Sequence, residues 1–162
     1  MKLLYLLIPA LLLTACGEEP ETYTEYTPVL LKRSDLEKSI KVESARPIKD
    51  AGKIYRKGSL LFINEKFEGV HVYNNGDPKK PVALGLIKIP GNVDITINND
   101  IIYADNAVDL VALRYSNEQI QILDRDRDVF PEIVAPDFGN IPDEYTATNR
   151  PENTVIVKWE KL

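Results

Sequence analysis

Cysteine is almost absent. Cys16 is the one thiol in 162 residues, so no disulfide can close within the chain. Histidine is as scarce. A lone His71 excludes a His–His metal pair and leaves little from which to assemble a Ser/His/Asp triad. It stands mid-strand, opposite in phase to Val70 and Val72, and reads as a half-exposed strand residue. Positive charge is also in deficit. Twenty Lys and Arg against 25 Asp and Glu give a net charge of −5, without a basic run. Such a chain suits neither nucleic-acid phosphates nor an anionic lipid surface. No phosphate-cradling glycine loop, zinc spacing or nucleophile elbow occurs. Asp124, Asp126 and Asp128 alternate as calcium ligands do, but Arg125 and Arg127 lie between them and Val129 stands where an EF-hand needs Gly. No cofactor and no metal are expected, and the chain reads as non-enzymatic.

One apolar run, Leu3–Leu13, is present. It falls short of the ~20 residues of a spanning helix and has the length of a signal-peptide core. Lys2 precedes it. Leu13-Thr14-Ala15-Cys16 follows and resembles a bacterial lipobox, in which the cysteine is lipidated and becomes the new N-terminus. Residues 1–15 are therefore expected to be a lipoprotein signal peptide, with Cys16 the lipidation site and the lipid the link to the membrane. Gly17 at the next position, rather than Asp, points to the outer membrane. The acidic Gly17-Glu18-Glu19-Pro20-Glu21 run resembles the surface-export signal of Bacteroidota lipoproteins, which implies an outward-facing protein.

The body of the chain contains one unit written twice. Gly58–Tyr73 (GSLLFINEKFEGVHVY) lies over Asn99–Arg114 (NDIIYADNAVDLVALR) at a spacing of 41 residues without a gap. Leu60 falls on Ile101, Phe62 on Tyr103, Val70 on Val111 and Val72 on Leu113. Ile89-Pro90 falls on Phe130-Pro131. Short apolar runs and turns repeated at this period mark a propeller-like blade. The strands expected are 53–56, 60–63, 69–73 and 81–89, then 93–97, 101–104, 109–115 and 119–123, antiparallel because their connections are short. The 60–63 run is continuous and apolar, which predicts burial on both faces. The fold class is all-β: two four-stranded antiparallel units plus a C-terminal strand.

Around this core, residues 16–45 are expected to form an acidic tether through Pro28 and then a short helix capped by Ser34. Residues 46–132 hold the two units. Residues 133–162 hold an irregular excursion and a closing strand at Thr154–Trp159, whose Trp159 is expected in the core.

Gly69–Gly85 (GVHVYNNGDPKKPVALG) and Leu110–Ser116 (LVALRYS) resemble the LVIVD repeat of bacterial secreted proteins and lipoproteins. IPGNVDI (89–95) followed by IIYADNAVDLVAL (101–113) is similar to its short Bacteroidota lipoprotein members. The resemblance covers about 45–132 and implies a β-propeller-like fold with no settled activity. Asn74 and Arg114 stand where the repeat usually has Asp, and Glu118 where it usually has Pro, which removes a metal or charge role for that aspartate.

A polar cluster gathers at the strand ends: Asn64, Glu65, Asn92, Asp94, Asp105, Asn106 and Asp109. It is the candidate ligand or partner face, although Asx-turn chemistry accounts for such residues as well. Tyr73, Tyr103 and Tyr115 are the aromatics for a small sugar or ion site, and Asp105 with Asp109 the pair for a hydrolase. The reading favoured is an outer-membrane-anchored interaction or scaffold module. Two units cannot close a propeller ring, which needs about four blades. The apolar flanks Ile40, Val42, Ile48, Ile133 and Val134 either fold back as caps or leave a face for a protein partner or a second copy.

Overall fold

The computed structural model describes residues 22–162. The expected signal peptide, residues 1–15, and the expected lipidation site Cys16 lie outside them. The element order is β1 (Tyr26–Lys32), α1 (Arg33–Leu36), β2 (Lys41–Glu43), β3 (Ala51–Lys57), β4 (Leu60–Glu65), β5 (Gly69–Asn74), β6 (Val82–Lys88), β7 (Ile95–Asn98), β8 (Ile101–Asn106), β9 (Asp109–Ser116), β10 (Gln119–Asp126), a 3-10 turn at Asp143–Tyr145, and β11 (Thr154–Lys161). The protein is nearly all β and every strand pair within its sheets is antiparallel. All eight strands expected of the two units are present.

Three sheets form. The first unit is a meander with one added strand, in the order β2-β6-β5-β4-β3, and the second is the four-stranded meander β10-β9-β8-β7. β2 pairs with the outer side of β6, so the first unit has five strands where four were expected. The third sheet pairs β1 with β11. This corrects the expected tether, which ends at β1: Val29 and Leu31 alternate in the manner of a half-buried strand and pack on Val155 and Val157. The helix is a single turn whose cap position is Lys32, without a side-chain bond; Ser34 lies inside it.

The two units share one core. Phe62, Val70, Val72, Ile87 and Ile89 of the first pack with Ile95, Ile102, Ala104, Val111 and Leu113 of the second. Burial of this apolar surface is the main force holding the units together. Ile40 joins the same core, while Val134 stays exposed. The 60–63 run is not buried on both faces: Phe62 is buried, and Leu60, Leu61 and Ile63 are half-buried.

Register refines the repeat. In the first hairpin of each unit Lys57 faces Leu60 and Asn98 faces Ile101, around the two-residue turns Gly58-Ser59 and Asn99-Asp100. Gly58 (φ 56°) and Asn99 (φ 53°) take the same left-handed conformation, which Gly and Asn tolerate best. The spacing of 41 therefore holds through β4 and β8. The next turn breaks it. Glu65 faces Gly69 across three residues, whereas Asn106 faces Asp109 across two. Phe62 consequently faces Val72, while its equivalent Tyr103 faces Ala112 and not Leu113. The third strands correspond at a spacing of 40, and the gapless overlay of Val70 on Val111 and Val72 on Leu113 is corrected to Leu110 and Ala112. With the third strands matched at 40, equivalent positions of the two units point opposite ways: Phe62 lies inside the shared core, and Tyr103 lies on the outer face of the second sheet.

Candidate functional site

The seven polar residues separate into three places. Five of them surround the linker 90–94 that joins the units. Asn106 Nδ2 donates to Pro90 O at 2.7 Å and Asn64 Nδ2 to Val93 O at 2.8 Å. Asn92 Nδ2 donates to Asp94 O, Asp105 O and Asp105 Oδ1. Asp105 Oδ1 also accepts from the backbone N–H groups of Val93 and Asp94, at 2.9 and 3.0 Å. Asp94 accepts from Tyr55 Oη at 2.8 Å and pairs with Lys53. Asn64, Asn92 and Asn106 are buried. These side chains serve the chain's own backbone, because a linker passing between two sheets has no strand partner for its N–H and C=O groups. Asp94 and Asp105 remain partly exposed and line a pocket of about 210 Å³ with Thr96, Tyr103 and Leu110. Burial raises Asp105 above the ordinary carboxylate range, against its two backbone N–H bonds. Among the described residues, none donates to the Oδ1 atoms of Asn64, Asn92 and Asn106.

Asp109 forms a second place. It is wholly buried. It accepts from Arg33 Nη1 at 2.5 Å, Arg125 Nη1 at 2.6 Å and Asp128 N at 3.1 Å. Burial pushes its pKa up, but Arg33, the Asp128 N–H and Arg125 outweigh that and hold it below the usual range. Arg33 follows β1, so this clamp fixes the N-terminal segment to the second unit. Asp105 and Asp109 are engaged by separate partners.

Glu65 forms the third. It points to the outer face of the first sheet, where its Oε2 meets His71 Nε2 at 2.6 Å and Arg46 at 2.8 Å, and its Oε1 accepts from Lys49 N at 2.9 Å. Burial opposes its ionisation, yet bonds from His71, the Lys49 N–H and Arg46 bring its pKa down to about 2. His71 is 1% exposed and not the half-exposed residue expected, because the 44–50 segment crosses this end of the face. Beside the cluster lies a groove of about 550 Å³ between the first unit and β11, lined among others by Arg46, Lys49, Glu65, Phe67, Glu68, Lys158 and Trp159. Lys158 bridges Glu68 and Glu160. Trp159 donates its indole N–H to Ile133 O at 2.8 Å and is buried, as expected. Charges of both signs alternate around this groove, so it suits a small zwitterionic or polar ligand better than a strongly charged one.

The three tyrosines do not converge. Tyr115 lies inside, edge-on to Phe62 with ring centroids 6.1 Å apart. Tyr103 lies on the outer face of the second sheet beside Asp105, Leu110 and Phe130. Tyr73 is half-buried on the first sheet. The two clamps are carried by Arg33 and Arg46, which the sequence did not single out, and by Arg125, which it did not place at this site. Their partners are 76, 19 and 16 positions away, so no local spacing announces them. Among the described residues no helix is long and apolar enough to cross a membrane.

No family model, curated protein or solved structure matches the chain.

Proposed function

We propose that this chain is a lipoprotein held in the outer membrane through a lipid on Cys16, facing outward, and that it works there as a non-enzymatic interaction module. Its two units are consecutive propeller-like blades of the LVIVD type. The observation that carries this reading is the state of the outer sheet faces and edges. Ile54 is exposed on the outer face of the first unit, Val82 and Ile122 are exposed on the core-facing side of β6 and β10, and Leu123 and Phe130 are exposed beside the second unit. Large apolar side chains gathered on exposed sheet surfaces mark contact sites. The opposed parity of the units supports the blade reading, since stacked blades present unlike faces to one another.

The anchor is tested by replacing Cys16 with Ala. Labelled palmitate is expected in the natural protein and not in the variant, and label in the variant would remove the lipoprotein reading. The module reading is tested by photo-crosslinking from Ile122 and Tyr103 in intact cells. Capture of a defined polypeptide is expected; the same pattern from the solvated Lys79 would contradict it. A second reading, a small polar ligand in the groove beside Glu65, is favoured by the alternating charges there. It requires that Arg46→Ala lose binding of a ligand that the natural protein retains.

A further inference from the structure

The core between the units is an interface between unlike faces. The first unit contributes the face bearing Tyr55, Leu60, Phe62, Val70 and Val72, and the second the face bearing Ile95, Ile102, Ala104, Val111 and Leu113. By the register spacing, the first of these is repeated on the outside of the second unit, where Thr96, Ile101, Tyr103, Leu110 and Ala112 stand. The second is repeated on the outside of the first unit, at Ile54, Leu61, Ile63, His71 and Tyr73; His71 is buried there, and the other four are half-buried or exposed. The two outer faces are therefore related to each other as the two inner ones are. An interface of this head-to-tail kind continues into a ring or a stack if further copies are added.

Charge follows the same rule. Lys53 and Asp94 pair across the internal interface, and they are 41 residues apart. They occupy equivalent positions in the two units. A copy stacked in the same way sets position 94 of one chain against position 53 of the next, which opposes no like charges, although Asp94 is itself engaged within its own chain by Lys53, Tyr55 and the Ile95 N–H. Ile54, beside Lys53, is 63% exposed on the outer face of the first unit, on β3.

We propose that the occupant of these outer faces is a second copy of this chain, with the outer face of the second unit of one copy seated on the outer face of the first unit of the next. This rests on the reading of the chain as an interaction module and names its partner.

The test uses full-length chains in the membrane. Thr96 of one copy would stand to Ile54 of the next as Tyr55 stands to Ile95. Ile54→Cys and Thr96→Cys are both exposed substitutions that leave the shared core intact. Cells producing both variants are treated with a short bismaleimide, with the parent chain, whose one cysteine is Cys16, as control. The expected result is a crosslinked dimer from the mixture and none from either variant alone. The doubly substituted chain should give a ladder of multimers, or one closed species. Crosslinking of either variant with itself would show like-on-like packing and overturn the proposal, and so would no dimer in the mixture. Photo-crosslinking from the same positions separates the two levels: capture of a different polypeptide leaves the module reading and removes self-stacking, whereas no capture from either face removes both.

Discussion

The turns at the ends of β4 and β8 occupy equivalent places and solve the same problem differently. In the first unit three residues make the turn, with Phe67 left-handed (φ 65°), and Gly69 opens the next strand. In the second unit two residues make it, with Ala107 left-handed (φ 59°), and Asp109 stands where Gly69 stood. A Cβ on Gly69 would lie 2.1 Å from Ile87 O, because its neighbour strand runs hard against it. In the second unit that space is open enough for a buried carboxylate clamped by two arginines. The first unit places its buried acid one strand earlier, at Glu65, where the second has the neutral Asn106. Each unit thus buries one acid at this turn, and each acid is held by an arginine from a segment preceding its own strands: Arg46 for Glu65, Arg33 for Asp109. The lesson is that a one-residue change in turn length goes with a change in which strand carries the buried charge.

The largest effect should come from filling the space at Gly69. Its φ of 133° and the backbone contact at 2.1 Å leave Ala no relaxed position, and Gly69→Ala should cost about 4 kcal/mol or more in a denaturant titration. A cost near that of an ordinary surface change would show that the two turns are more alike than described.

Asp109→Ala comes next. It leaves Arg33 and Arg125 facing a buried, uncompensated site, at a cost of about 3–5 kcal/mol. It should also loosen β1, seen as faster amide exchange in residues 26–32. Unchanged exchange there would mean that Arg33 does not tie the N-terminal segment down.

Glu65→Gln should cost roughly 2–3 kcal/mol, read by the same titration. The sign with pH is fixed by its lowered pKa. Its contribution is complete above the unfolded carboxylate value of about 4.5 and disappears as pH falls toward 2. Asp105, raised by burial, acts in the opposite sense: its protonated form suits the fold, so acid favours it. The natural protein should lose more stability than Glu65→Gln between pH 4.5 and 2, and parallel acid curves for the two would refute the assignment.

The smallest effects sharpen the likeness of the units. Gly58 and Asn99 share a conformation, and no atom lies within 4 Å of a Cβ at Gly58. Gly58→Asn should change stability by no more than ~0.5 kcal/mol, where Gly58→Val should cost clearly more.

Much of this was legible from the sequence. The period, the eight strands and the closing strand follow from alternation and turn residues, which are local signals. Asn99 in a two-residue turn is legible for the same reason. The slip between 41 and 40 was not, because the overlay remains apolar on apolar in either register: Val70 matches Val111 and Leu110 equally well. β1 was missed because Thr27 and Pro28 interrupt its pattern, and its partner β11 lies over a hundred residues on. The polar cluster was visible as a group, but its division among linker, Arg33 clamp and Arg46 clamp depends on contacts that sequence spacing does not encode. His71 looked half-exposed because nothing in its strand announces that the 44–50 segment covers it.

The central claim is that the two units meet through unlike faces, and it depends on the register of β8 against β9. Cross-strand nuclear Overhauser contacts in the isotope-labelled protein measure that register directly. Tyr103 should show its backbone contacts to Ala112 and Ile102 to Leu113, with Phe62 ring contacts to Tyr115 across the core. Contacts from Tyr103 to Leu113 would restore the gapless repeat, turn Tyr103 inward and contradict the account.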